Sequence, residues 1–556
     1  MEKRLILAFA ISFLVMIIWS YLYAPRHGRN ISGKEGTQEE AKGVVSESVT
    51  AQPTAALVPP APGAETVILT MPQPEEKEIL IDTPLYSVAF SNKGASIKGF
   101  RLKKYLVTKE PDSPIVELVN LGDDDKYSFS IGFDDGSNGE GERPFYGVSE
   151  ESVTLADGAA PKDLTFKCLR SDNVAIYQTF RFYADRYDID IFVTIDNHSG
   201  SPYEGSISAY LRNLPLQKRS FSYSFSGAAL LLDDELNEIK PKKMKEDKLL
   251  SGRIGWIAYE DDYFISAVVP GDQKEGRFIG RLSDSGIIEI TYIAPSAVVR
   301  PLEKISSGFT LYMGPRDLEI LKKSGKKLDQ AINFGFWDII AKPLHFLLQY
   351  FNRFVHNYGV SIIILTVLIK IIFWPLSHKS FKSMKEMQKL QPLMAKIREK
   401  YKDDREQMQR ELMGLYKTYK VNPMGGCLPI LIQIPVFFAL YRILANSIEL
   451  RHAPFMLWIT DLSAPDRLLN FSFSIPFMSP PYGIPVLTLL MGASMFIQQK
   501  MSPAPGDPAQ AKVMMYLPII FTVMFINLPS GLVLYWLTNN ILSIMQQYHM
   551  LKRTTQ

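Results

Sequence analysis

The chain has 556 residues, of which 46% are hydrophobic, and 61 basic against 58 acidic side chains give a formal net charge of +3. At about 150 residues per domain, this length predicts three to four structural units. The nearly balanced charge argues against a dedicated nucleic-acid-binding protein, which usually carries a large basic excess. The two cysteines, Cys168 and Cys427, are too few for a disulfide scaffold or a cysteine-based zinc site.

The N-terminal segment, residues 1–24, is predicted to be a transmembrane anchor. The stretch from Leu5 to Ala24 carries no charged residue, and a helix of that length spans about 30 Å, the thickness of one hydrocarbon core. Lys3 and Arg4 place the N-terminus in the cytoplasm by the positive-inside rule. Residues 25–77 are rich in Gly, Ser, Thr, Ala, Pro and Glu and have no helical or strand period, which predicts a flexible linker on the exported side.

Residues 78–330 are predicted to form a large antiparallel β-sandwich that ends in a helix from about 315 to 330. Stretches such as AIYQTFRFYADRYDIDIFVTID alternate apolar and polar residues, and turns that contain glycine separate them. His198 lies in the turn-like sequence DNHSG, so we interpret it as a surface residue. Since no nucleophile pair or metal cluster stands out, we do not expect an enzyme. A carbohydrate-binding sandwich is the alternative for this region.

The second half of the chain has the pattern of a membrane protein. Residues 331–355 combine many aromatic residues with scattered charges, which predicts an amphipathic helix in the membrane interface, or else a core helix of the preceding domain. Residues 356–550 are predicted to form a core of five transmembrane helices. These spans are expected at about 358–377, 427–447, 482–499, 513–528 and 531–550.

The charges of the loops predict the orientation of these spans. Residues 378–422 contain 12 basic and 6 acidic side chains, whereas the loop 448–481 has a net charge of −1. Basic loops that alternate with non-basic ones are expected for six spans with both termini in the cytoplasm. Residues 25–355 would then lie on the exported side or at its interface, and residues 551–556 would form a short cytoplasmic tail.

Residues 379–421 are predicted to form an αα-hairpin. Apolar side chains recur every three or four residues on both sides of a short break, and the acidic pair Asp403-Asp404 suits the start of the second helix. One interpretation is a hairpin that packs on itself. The other is a docking surface for a ribosome, a partner translocase or a nascent chain, because exposed methionines adapt to varied apolar segments.

Lys370 is the single charged residue of its predicted span, 358–377. Charge within a membrane is costly, so such a residue indicates a functional site, although a lysine this near the cytoplasmic end could also snorkel to the interface. Further polar residues in the spans could line a hydrated groove with it: Thr366, Gln433, Gln498, Asn539 and Asn540. No Asp or Glu lies inside the predicted spans, which weakens the hypothesis of a secondary transporter.

Several stretches resemble the YidC/Oxa/Alb family of membrane protein insertases. They are NPMGGCLPILIQIPVFFALYRIL, SIELRHAPFMLWITDLSAPD, QQKMSP and LPSGLVLYWLTNN, and the similarity covers about 330–550. The N-terminal anchor and the exported sandwich match the Gram-negative layout of this family. The resemblance therefore implies six transmembrane α-helices, made of the anchor and a five-helix insertase core, with a large periplasmic β-sandwich and a cytoplasmic αα-hairpin, in the bacterial inner membrane.

The resemblance also implies a mechanism. A groove open to the cytoplasm and the lipid holds one positive charge, here Lys370, and Thr366, Tyr535 and Trp536 match positions that contact the substrate. The chain would insert and help fold nascent membrane proteins, alone or with the Sec translocon, and would use no cofactor. Further expected partners are the lipid bilayer and, through the 379–421 hairpin, the ribosome or targeting factors; no specific nucleic acid is expected. The alternatives are a small-anion channel or transporter and a non-catalytic scaffold subunit of a translocase.

Overall fold

The computed structural model describes residues 75–110, 112–119, 121, 127–134, 143–214, 225–272, 275–419, 421, 428–501 and 508–552. The predicted anchor at 1–24, nearly all of the predicted linker at 25–77 and most of the predicted tail at 551–556 lie outside these residues. The chain divides into two compact units. We name them the β unit, which ends at Ile332, and the helical unit, which begins at Asn333.

The β unit is built from short strands in which buried and more exposed residues alternate. From Ile176 to Phe182, for example, every second residue is buried, as the sequence pattern predicts. The strands are β1 (Glu78–Asp82), β2 (Tyr86–Ser91), β3 (Ser96–Leu106), β4 (Ile115–Glu117), β5 (Phe129–Asp134), β6 (Gly147–Val148), β7 (Ser152–Thr154), β8 (Lys162–Leu169), β9 (Val174–Phe182), β10 (Asp188–Asn197), β11 (Tyr203–Asn213), β12 (Gly227–Leu232), β13 (Glu235–Ile239), β14 (Lys248–Glu260), β15 (Phe264–Pro270), β16 (Glu275–Leu282), β17 (Ile288–Ile293), β18 (Ala297–Val299) and β19 (Lys304–Pro315).

Strand pairing produces two sheets that share one strand. The first sheet runs β7–β1–β2–β3–β5–β11–β17–β16–β14, with only the β1–β7 pair parallel. The second runs β6–β8–β9–β10–β19–β15–β14–β12–β13 and is antiparallel throughout. The first half of β14 pairs with β16 and its second half with β12, so this one strand joins the two sheets.

Aromatic side chains fill the space between the two sheets. Phe90 of the first sheet lies 5.7 Å from Phe166 and 4.9 Å from Phe180 of the second, measured between ring centroids. Tyr292 and Phe309 form a similar contact at 6.1 Å. Each fully buried ring of this kind stabilises the fold by about 1.5–3 kcal/mol. The predicted β-rich domain is therefore confirmed, and its core lies between the sheets.

The C-terminal helix of the β unit is shorter than the predicted stretch 315–330. Helix α1 (Leu318–Ser324) begins at Asp317, whose carboxylate accepts hydrogen bonds from two backbone amides of the first turn. It ends at Ser324 because Gly325, Lys326 and Lys327 all have positive φ angles, of 74°, 57° and 59°, which no helix can continue. A single 3-10 turn at Leu328–Ala331 follows.

Arg316 fastens this C-terminal segment to the sheets. Its guanidinium donates to the backbone oxygens of Asp261 and Ala331 at 2.6 and 2.8 Å and lies 3.2 Å from the carboxylate of Glu260. Glu260 is fully buried, and burial raises its pKa to about 7 although the charge of Arg316 opposes that rise. Burial likewise raises the pKa of Asp261 to about 6.

The helical unit contains helices joined by one long loop with a small hairpin. The helices are α2 (Asp338–Val355), α3 (Tyr358–Ile372), α4 (Trp374–Lys400), α5 (Arg405–Thr418), α6 (Leu428–Asn446), α7 (Val486–Met501), α8 (Pro508–Phe525) and α9 (Ser530–Lys552). Strands β20 (Leu468–Phe471) and β21 (Tyr482–Ile484) pair within the loop between α6 and α7. Helix α9 packs against α3, α6 and α7, while α8 packs against α7 and α2 packs against α3 and α6.

The helix ends differ from the predicted spans by up to five residues, and prolines explain two of these differences. Helix α3 ends at Ile372 rather than near 377, and α4 leaves it at 64°. Pro375 has no N–H to bond the carbonyl of Ile371, so the first helix cannot continue through it. The span expected from 482 begins as a helix only at Val486, because Pro485 favours an extended conformation in the residues before it. Among the described residues, no single helix is both long and apolar enough to cross a membrane, whereas the bent pair of α3 and α4 is when the two are taken together.

Several helix ends meet at one side of the helical unit, which we name the loop end. The Asn357 amide, just before α3, donates to the backbone oxygen of Phe455 in the long loop at 2.9 Å. Ser530, the first residue of α9, donates to the backbone oxygen of Asp461 at 2.7 Å. The same loop leaves the end of α6 and enters the start of α7, so all four helices share this end.

Helices α4 and α5 form a pair that packs on itself. Leu390 and Met394 of α4 are buried with Val421, and partly buried side chains of both helices surround them: Met387, Leu412, Leu415 and Tyr416. Asp404 caps α5 by accepting a hydrogen bond from the Gln407 amide at 2.9 Å, the role predicted for the acidic pair.

Candidate functional site

The candidate site is a small recess beside Lys370, near the end of α3 that lies away from the loop end. Residues of α3, α4, α6 and α9 and of the α3–α4 break line it: Ile369, Lys370, Phe373, Leu376, Ser377, Gln433 and Asn539. Its volume is about 30 Å³, room for about two water molecules. The bend at Phe373 shapes this recess, because it turns Leu376 and Ser377 of α4 towards Lys370 rather than farther along the line of α3.

The ammonium group of Lys370 donates hydrogen bonds to neutral oxygen atoms of α9. It donates to the hydroxyl of Ser543 at 2.6 Å and to the side-chain oxygen of Asn539 at 3.3 Å. These two residues lie one helical turn apart on the same face of α9. Among the described residues that line the recess there is no carboxylate. The ammonium is thus solvated without being neutralised, and it keeps its attraction for an incoming anion.

A second polar contact connects the recess to α9. Gln433 of α6 donates through its amide to the hydroxyl of Tyr535 at 3.2 Å. The Tyr535 side chain is only 1% exposed. Gln433 and Asn539, both predicted from the sequence as groove residues, therefore share the recess with Lys370, and Tyr535 lies directly behind Gln433.

Thr366 and Trp536 do not line the recess. The Thr366 hydroxyl is buried and donates to the backbone oxygen of Ile362 in its own helix at 2.6 Å. The indole of Trp536 lies within a cluster of phenylalanine rings, 4.9 Å from Phe437 and 5.1 Å from Phe525 between ring centroids. Trp536 therefore adds apolar surface next to the polar recess rather than a hydrogen-bonding group within it.

Asn540 lies on another side of α9, and Gln498 belongs to α7. The Asn540 amide donates to the hydroxyl of Ser494 on α7 at 2.9 Å, and both residues are buried. Gln498 lies one turn farther along α7 and is half-buried. Asn540 therefore belongs to the contact between α7 and α9, and neither Asn540 nor Gln498 is part of the recess lining.

Ser377 and Ser543 belong to the site, although the sequence reasoning did not select them. A serine has no marked hydropathy and occurs in many helices without a function, so neither residue stands out alone. The sequence did contain a signal for Ser543. It follows Asn539 by four residues and precedes Gln547 by four, so the three polar side chains lie on one face of a helix. The polar face of α9 is thus longer than the predicted pair Asn539-Asn540.

A second buried polar cluster lies at the loop end. His345 of α2 lies 3.5 Å from a carboxylate oxygen of Glu449, measured from Nε2, and the Gln349 amide donates to the same oxygen at 2.8 Å. Burial acts to raise the pKa of Glu449, but the charge and hydrogen bonds of His345 and Gln349 outweigh it and hold this pKa below its ordinary value. The cluster fixes α2 to the loop, with Ile339, Phe346 and Phe354 of α2 exposed on its other side.

The arrangement fits binding and guidance better than bond-breaking chemistry. The described part of the chain contains no group of three His, Cys, Asp or Glu side chains placed to hold a metal ion. The recess contains the ammonium of Lys370, the side-chain amides of Gln433 and Asn539, and hydroxyl groups. Its lining has no base placed beside a nucleophile. Such a site can attract an acidic or polar segment and lower the cost of taking it out of water.

Family models match both units of the chain. One, described as 60Kd inner membrane protein, matches residues 350–556, and another, described as YidC periplasmic domain, matches residues 78–347. Together the two models extend over most of the chain from residue 78 to its last residue.

Curated relatives match the chain from end to end. A protein of Pelobacter propionicus named membrane protein insertase YidC is 41% identical over 556 residues, which is 99% of each chain. A protein of Geobacter sulfurreducens with the same name is 41% identical over 99% of this chain and 98% of its own length. A solved structure described as an active YidC insertase with the first transmembrane domain resolved is 21% identical, with a TM-score of 0.37, over 85% of this chain and 93% of that chain.

Proposed function

Because the chain belongs to the YidC family of membrane protein insertases, we propose that the recess around Lys370 receives a polar segment of a nascent membrane protein. The chain is a non-enzymatic insertase and an inner membrane protein with a periplasmic domain. The function predicted from the sequence is thereby confirmed, and the small-anion channel and the scaffold subunit are not favoured. The observation that carries the proposal is the uncompensated ammonium of Lys370 among neutral oxygens.

The recess would lower the free-energy cost of insertion in two ways. Moving a polar segment into hydrocarbon without hydrogen-bond partners costs several kcal/mol, and Gln433, Asn539 and Ser543 offer such partners. An acidic segment gains the attraction of Lys370 in addition, which is stronger in a partly dehydrated recess than in water. Thr366 and Tyr535 stay proposed as substrate contacts on the family resemblance, although both side chains are only 1% exposed and neither lines the recess.

The apolar part of the substrate would follow the outer faces of the helices. Large apolar side chains of α8 are exposed between Met514 and Met524, among them Ile519, Ile520 and Val523. Trp536 packs with Phe437 and Phe525 in an aromatic cluster one helical turn from Asn539. A substrate span that slides out along such surfaces enters lipid without exposing its apolar residues to water. No nucleotide is required for this step.

We further propose the topology that fits these roles. Helix α3, continued by the start of α4, together with α6, α7, α8 and α9 would cross the membrane, with the loop end on the periplasmic side and both termini in the cytoplasm. Helix α2 would lie in the interface through its exposed apolar face, and the cytoplasmic pair α4–α5 would dock a ribosome or targeting factor through its basic surface. Gln498 and Asn540 would support the α7–α9 contact, and the Sec translocon would be a partner for larger substrates.

The proposal is tested by reconstituting the full chain in liposomes and measuring protease protection of a small membrane protein with an acidic exported tail. Lys370→Arg keeps the charge and should retain insertion. Lys370→Ser should reduce it about tenfold, the loss expected from about 1.5 kcal/mol of charged hydrogen bonding. Lys323→Ser, which removes an exposed charge of the β unit, is the control and should insert like the wild type. Equal insertion by Lys370→Ser and the wild type would contradict the role of the recess.

A further inference from the structure

One surface at the loop end has no role in the recess. From Leu468 to Gln499 the sequence contains no Asp, Glu, Lys, Arg or His. The first part of this stretch forms β20, β21 and the turn between them, and it exposes Leu469, Phe473 and Phe477 by 64%, 62% and 80%. Leu457, in the preceding turn of the loop, is 81% exposed. We name Leu457, Leu469, Phe473 and Phe477 the apolar tip.

The backbone holds these side chains outwards in an unfavourable conformation. Leu457, Leu469 and Phe477 have φ angles of 55°, 58° and 63°, a region that bulky residues avoid. Such conformations cost on the order of 1–3 kcal/mol each and persist only where the surroundings impose them. Three of the four tip residues are thus kept exposed at a cost in stability, which points to a use for the exposure.

The tip is also firmly attached to the helices. Arg467 donates to the backbone oxygens of Pro481 and Ile526 at 2.8 Å each, and so joins the hairpin to the α8–α9 turn. The Asn527 amide donates to the backbone oxygen of Phe477 at 2.8 Å and its carbonyl accepts from the Ser479 amide at 2.8 Å. The tip therefore keeps a fixed position at the ends of α8 and α9.

The surface next to the tip is the outer surface of the helices. Helix α7 begins at Val486, directly after β21, and exposes Leu489 and Leu490. Helix α8 exposes Val523 and Met524 in its last turn, close to the Asn527 that holds the tip. In an inner membrane protein, contiguous exposed apolar surface of this kind is covered by lipid. The charged residues of the long loop precede Leu468, so only Leu457 of the tip lies in a part of the loop that contains charges.

We propose that the apolar tip enters the periplasmic leaflet of the membrane and contacts its acyl chains. The tip continues the lipid-facing surface of α7 and α8 beyond the helix ends, and its lack of charge and its rigid attachment suit insertion below the headgroups. It would fix the depth and tilt of α7, α8 and α9 around the recess. The inference rests on the proposed topology but does not depend on the role of Lys370.

Spin labels on the full chain in phospholipid vesicles test this proposal. In a Cys168→Ser, Cys427→Ser background, Phe473→Cys and Phe477→Cys carry the label, and accelerated relaxation by oxygen is compared with that by a water-soluble nickel complex. Leu302→Cys is the matched control, because Leu302 in the β unit is 85% exposed and also has a positive φ, of 63°. Ile520→Cys reports the lipid-facing side of α8.

The proposal expects labels at 473 and 477 to show an oxygen-to-nickel ratio several-fold above that at 302 and similar to that at 520. A ratio at 473 and 477 equal to that at 302 would overturn it, because the tip would then lie in water. Protection from both reagents would also overturn it and would indicate a covering protein, either a second copy or a partner. A low ratio at 520 as well would instead show that the proposed topology is wrong.

Discussion

The β unit and the helical unit distribute polar and apolar groups in opposite ways. Between its sheets the β unit buries rings such as Phe90 and Phe180, and it pairs charges across strands, as in the ion pair of Arg181 with Asp163 at 2.7 Å. The helical unit buries polar side chains around Lys370 and exposes large apolar side chains on its outer helices. Each pattern is stable only in its own solvent, water for the first and lipid for the second.

Charge is handled differently in the two units as well. In the β unit, Arg212 lies directly opposite Glu289 on the next strand, with its guanidinium 2.6 Å from the carboxylate. Such pairs help to fix the register of the strands and stabilise the sheet modestly. In the recess, Lys370 has hydroxyl and amide partners. The charge of a cation in an ion pair is already neutralised. A cation bound only by neutral groups can still gain electrostatic energy when it binds an anion. The difference separates a charge that serves the fold from one that serves binding.

The largest expected effect comes from placing the same charge on the two surfaces. Ile520, 58% exposed on α8, lies near the middle of a proposed span, so Ile520→Asp should destabilise the protein in a bilayer by about 3 kcal/mol. Leu302→Asp, at an exposed turn of the β unit where Asp tolerates the positive φ, should change stability by less than about 0.5 kcal/mol. Unfolding of both variants in bilayers measures this contrast, and similar costs would remove the distinction between the two surfaces.

The second expected effect is a pH dependence of the stability of the β unit. The pKa of buried Glu260 is raised to about 7, so its carboxyl is neutral in both states below about pH 4.5. As the pH rises to about 7 the unfolded chain ionises first, and the β unit should lose at most about 3 kcal/mol of stability before the loss levels off. Hydrogen exchange of the β14 amides as a function of pH measures this.

The Glu260→Gln variant is the control for that pH dependence. It should remove most of the slope and leave the smaller part that comes from Asp261, whose pKa is raised to about 6. Stability that rises between pH 4.5 and 7 in the wild type, or an unchanged slope in the variant, would contradict the assignment to Glu260.

The smallest expected effect concerns the hydrogen bond between the Lys370 ammonium and the Ser543 hydroxyl. Ser543→Ala removes one of the two side-chain acceptors described for the Lys370 ammonium and should lower the free energy of unfolding of the helical unit by about 1 kcal/mol. Ser543→Thr keeps the hydroxyl and serves as the matched control. Differential calorimetry of the purified chain compares them, and an Ala variant as stable as the Thr variant would show that water replaces Ser543 without cost.

The β unit could be predicted well from the sequence because its pattern is local. Alternation of apolar and polar residues, as in β9, reflects directly which face of a strand meets the core. The helix expected at 315–330 was predicted too long, since the left-handed conformations of Lys326 and Lys327 have no clear sequence signal. Charge inside a predicted span indicated Lys370, and polarity inside another predicted span indicated Asn539.

The rest of the site depends on contacts between distant elements. Gln433 and Ser543 approach Lys370 because α9 packs against both α3 and α6, which no local pattern reveals. The direction that a polar side chain faces also depends on how the helices pack. Asn539 lines the recess, while its neighbour Asn540 donates a hydrogen bond to Ser494. The exposure of the apolar tip also follows from backbone angles, since its composition alone resembles that of a buried strand.

The most direct test of the central claim is charge reversal at Lys370 with matched substrates. Three versions of one small membrane protein, with acidic, neutral and basic exported tails, are inserted by the wild type and by Lys370→Glu in the same liposomes. We predict that the wild type favours the acidic tail over the basic one and that Lys370→Glu reverses this order, while the neutral tail changes least. The same order of substrates for both proteins would contradict an electrostatic role of the recess.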